Sequence, residues 1–175
     1  AQLPYQDCPP PLRSAADLVG VPLLEVPGNV PFIAVTKWVF ATMAEQERRD
    51  LEAAMSANRR LTQVATASTP LAALLDVWAD ISEADCVVTD GVGRVLARTP
   101  GTSEEVTREA TDILHTAIEK SSGSLTGWSL HGRFEIHTVG DHVPLAYVIL
   151  GAQLNPVARH SSTVLVSLLA LEVER

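Results

Sequence analysis

Apolar residues recur at helical spacing across residues 31–66: Phe32, Val35, Val39 and Met43, then Leu51, Met55 and Leu61. This predicts one long helix, with Pro31 at a favourable first helical position. Inside it, Glu45/Arg49 and Arg48/Glu52 stand four apart and are placed to pair along a solvated side. Residues 1–30 are proline-rich, with a short helix pattern over 14–19 stopped by Gly20. The apolar run 22–27 then reads as a short buried strand. One helix and one strand cannot enclose a core, so this stretch is expected to pack on the neighbouring module or on something outside the sequence, as the tail end of an α/β domain.

Residues 70–175 read as one module. Pro70 opens a helix carrying Leu71, Leu74, Leu75, Trp78 and Ile81 on one face, and two strands follow at 86–90 and 94–98. Asp90-Gly91-Val92-Gly93 between them is hairpin turn chemistry. Ser103 is the expected N-cap of the next helix, which ends near Lys120. Three strands are expected at 125–130, 133–138 and 143–150, the last apolar on both sides and therefore central. Asn155-Pro156 launches a final helix whose pattern persists to Arg175. The predicted fold is α/β in the α+β sense: a mostly antiparallel sheet flanked by helices and preceded by a long connecting helix.

The long helix also carries an imperfect heptad pattern. Ala44, Leu51, Asn58 and Ala65 form one row, Ala54 and Leu61 the other. A seam with Asn58 facing its twin sets register at a cost in stability, which suits a parallel homodimer. Glu47 in the seam favours the alternative, a helix lying on its own domain. Leu51, Asn58, Leu61, Leu165 and Leu169 are the expected contacts with a partner subunit, because the flanking helices of the module are expected to leave apolar stripes for a second copy.

With 175 residues the chain can build one good core without a disulfide scaffold. Cys86 opens the apolar run Cys86-Val87-Val88 and reads as a small core hydrophobe in a reduced cytoplasmic setting; Cys8 lies far from it. The net charge of −8 and a pI near 5.0 oppose binding of this stretch to DNA or to acidic membrane surfaces. The longest uncharged stretches contain prolines or fall short of the roughly 18 residues a spanning helix needs, and no basic then apolar leader opens the sequence.

Candidate chemistry is sparse. Gly91-Val92-Gly93 is followed by a strand, whereas a phosphate loop opens a helix. His131, Arg133, Glu135 and His137 form the densest polar group, with Arg133, Glu135 and His137 expected on one strand face and Arg94 and Trp128 near them in the sheet. As a ligand pocket, this group offers a cation and imidazoles to an acidic metabolite and an indole for stacking. As a plain sheet face, it is solvated or salt-bridged across strands. No spacing completes a metal site, no cofactor is implied, and no nucleophile elbow or paired Cys and His appears.

The stretches Ser14-Ala15-Ala16-Asp17-Leu18-Val19-Gly20-Val21-Pro22-Leu23-Leu24-Glu25-Val26-Pro27, Val30-Pro31-Phe32-Ile33 and Asn58-Arg59-Arg60-Leu61-Thr62 resemble the PucR family of bacterial transcriptional regulators, which is related to the sugar-diacid (CdaR-type) regulators. The resemblance implies that residues 1–30 are the C-terminal remnant of a PucR-type sensory domain, 31–67 a connecting helix and 70–175 a GAF-like domain, matched there by element order more than by signature. In that family a C-terminal helix-turn-helix binds DNA, and nothing in these residues matches it.

The expected function is therefore that of a non-catalytic, cytoplasmic relay: the middle portion of a regulator, dimerising and passing a signal toward a DNA-binding domain outside the sequence. The rival from another class is a small-molecule sensor holding an effector in the GAF-like module. A third, an α/β enzyme, lacks a nameable nucleophile or base.

Overall fold

The computed structural model describes residues 8–67, 71–121, 125, 128–131, 133–140 and 142–174, with the backbone alone described for 128–131. The chain divides into two units, residues 1–45 and 46–175, taken in turn below.

In the first unit, helix α1 spans Pro10–Val19, longer than expected because Pro10 and Pro11 occupy first-turn positions whose N–H groups have no helical partner anyway. Gly20 ends it in the left-handed conformation, and the N–H groups of Gly20 and Val21 reach back to the Asp17 and Ala16 carbonyls. The expected strand at 22–27 does not form. These residues have no regular structure and are exposed, because no strand among the described residues of this unit offers a ladder and the two bounding prolines donate nothing to one. Helix α2, Phe32–Thr66, begins in this unit one residue after Pro31 and continues into the second. Within the first unit its Phe32, Ile33, Trp38, Phe40 and Met43 are all exposed.

The second unit contains the rest of α2, then α3 (Leu71–Ser82), β1 (Cys86–Asp90), β2 (Val95–Arg98), α4 (Glu104–Lys120), β3 (Trp128–His131), β4 (Phe134–Val139), β5 (Ala146–Gly151) and α5 (Pro156–Val173). The element order is the one read from the pattern. The strands form one antiparallel sheet in the order β2-β1-β5-β4-β3, with the apolar β5 at its centre. β5 starts at Ala146 and not at 143, since Pro144 has no N–H to give and Gly140, at φ +108°, turns the chain so that Leu145 N–H returns to the Val139 carbonyl.

Alternation along the strands builds two cores. Cys86, Val88, Ala146, Val148 and Leu150 face one side, where they pack with Leu61 of α2, Leu74, Leu75 and Trp78 of α3, and Leu165 and Leu169 of α5. Val87, Phe134, Ile136, Tyr147 and Ile149 face the other, against Ala110, Leu114 and Ala117 of α4. Caps finish the helices as expected: Ser103 Oγ accepts from Val106 N–H at 3.1 Å, and Asn155 Oδ1 from Ala158 N–H at 2.8 Å. Arg175 lies outside the described residues, and α5 ends at Val173 with Glu174 N–H on the Ala170 carbonyl.

Candidate functional site

Two arrangements were expected to carry function: the polar group around β4 and the heptad rows of α2. The sheet register takes the first apart. Glu135 pairs with Leu150 and His137 with Val148, so both project to the α3/α5 side. Arg133 sits in the turn before β4; its guanidinium pairs with Glu109 of α4 and lies 5.4 Å from the Phe134 ring centroid, which belongs to the opposite core. Arg133 therefore serves the α4 side and does not join the other two. The sequence carries no signal for Glu109, since 24 residues separate the partners.

Arg94 lies in the hairpin turn ahead of edge strand β2. Its amide donates to Asp90 Oδ1 at 2.8 Å and its carbonyl accepts from Asp90 N–H, closing the turn predicted at Asp90-Gly91-Val92-Gly93. β2 and β4 are separated by β1 and β5. At roughly 4.8 Å per strand spacing, that puts them about 14 Å apart, too far for Arg94 to share a pocket with His137. The backbone of Trp128 pairs with His137, but the side chains of Trp128 and His131 lie outside the described residues.

The chemistry left at β4 is modest. His137 Nε2 lies 3.8 Å from Glu135 Oε2, and burial pushes the imidazole pKa down while Glu135 opposes the shift. Cys86 is fully buried, and burial together with Asp85 pushes its thiol far up, so it stays protonated. Among the described residues no three His, Cys, Asp or Glu side chains gather as a metal site would require.

The heptad rows are redistributed as well. Leu61, Leu165 and Leu169 have no exposed surface and belong to the chain's own core, and Ala54 and Ala57 of α2 are buried as well. They are corrected here as intramolecular contacts, because an inaccessible side chain cannot meet a second subunit. Arg60 of α2, 3.0 Å from Asp80 of α3, marks the same docking. Of the expected partner contacts, Leu51 is 43 % exposed and Asn58 half-buried. Between α2 and α5 runs an open groove of about 420 Å³, lined by Asn58, Arg59, Thr62, Gln63, Thr66 and Val164. Asn58 Oδ1 is itself buried, with no hydrogen-bond partner among the described residues. Thr62 and Val164 went unnoticed in the heptad reading, although Thr62 stands four residues after Asn58.

No helix of the described residues is long and apolar enough to cross a membrane. Comparison of the chain with known protein families, curated proteins and solved structures returned no match.

Proposed function

We propose that this chain is the non-catalytic middle portion of a PucR-type, cytoplasmic transcriptional regulator, which dimerises and relays a signal toward a helix-turn-helix domain outside these 175 residues. The observation that carries the reading is α2. It is a 35-residue helix whose last turns are built into the core of the second unit through Leu61, with Val64 and Ala65 packed beside it. In the first unit its Phe32, Ile33, Trp38, Phe40 and Met43 remain exposed, as expected of a segment that functions against something else.

Docking of α2 also bears on mechanism. A helix held by buried Leu61 and by the Arg60–Asp80 pair cannot turn about its own axis without breaking that core. A relay through it is then a rigid-body shift of the whole second unit, of the kind that discrete packing states allow.

Sedimentation equilibrium of the 175-residue protein tests the reading. A reversible dimer at micromolar concentration is expected, and a monomer that persists at high concentration overturns it.

A further inference from the structure

We draw no further inference here: the strongest candidate, the exposed apolar surface that Phe32, Ile33, Phe40 and Met43 form on α2 in the first unit, carries nothing, because nothing among the described residues shows what covers it.

Discussion

The side-chain amide of Asn155 donates to the Ile81 carbonyl at 3.0 Å, which ties the start of α5 to the end of α3. The same residue caps its own helix through Oδ1. Asn155→Ala loses both functions and is expected to destabilise the second unit by about 2 kcal/mol, roughly 1 for the cap and 1 for the carbonyl left without its donor. Asn155→Ser keeps a capping oxygen but cannot reach Ile81, so about 1 kcal/mol is expected. Urea unfolding followed by Trp fluorescence, with an unchanged slope, measures both.

Leu61 and Leu51 were expected in one seam and have opposite surroundings. Leu61→Ala empties a fully buried site and should cost about 2 to 5 kcal/mol of folding stability. Leu51→Ala, on the surface, should change folding by no more than about 0.5 kcal/mol and act on association instead. Chemical denaturation at low protein concentration separates the two. Equal losses at both positions would contradict the placement of α2 on its own core.

Gly93 adopts φ +86°, and an added Cβ would meet His115 Cε1 at 2.7 Å. The imidazole is exposed and can swing away, whereas the backbone conformation cannot relax without opening the hairpin. Gly93→Ala is therefore expected to cost about 1 to 2 kcal/mol, and adding His115→Ala should recover little of it. Thermal melts of the single and double variants give the answer. Full recovery would mean that the contact, not the dihedral angle, is limiting.

Half-buried His137 has its pKa held below the usual imidazole value, with burial as the larger cause. In the unfolded chain it takes its proton at about pH 6.5. Between that pH and the lower folded value the unfolded state binds more protons, so stability falls as pH drops through this window and levels off below it. Above about pH 7 this residue contributes no pH dependence. Denaturation midpoints of wild type and His137→Gln between pH 5 and 8 should converge in slope at the alkaline end, with the variant flatter at the acid end.

Much of the fold was legible because local periodicity and turn chemistry act over a few residues. Phe134 and Ile136 alternating with Glu135 and His137 announced β4, Ser103 and Asn155 announced their helices, and the apolar 143–150 run announced the centre of the sheet, though its first three residues lie outside β5. The run at 22–27 misled because an apolar segment becomes a strand only when another strand supplies its hydrogen bonds.

The sequence by itself determined which residues of α2 are apolar and that they recur on one side of a helix. Tertiary packing decided which of them are spent inside. Leu61 went to the core because α3 and α5 meet beneath it, while Asn58 is left half-buried and Met55 exposed on neighbouring faces of the same helix. The polar group at β4 was decided in the same way. Arg133 lies one residue before that strand, yet Glu109 holds it on the α4 side, and the strand order removes Arg94 to the far edge. Spacing along a chain specifies a face, but what covers that face depends on contacts between residues distant in sequence.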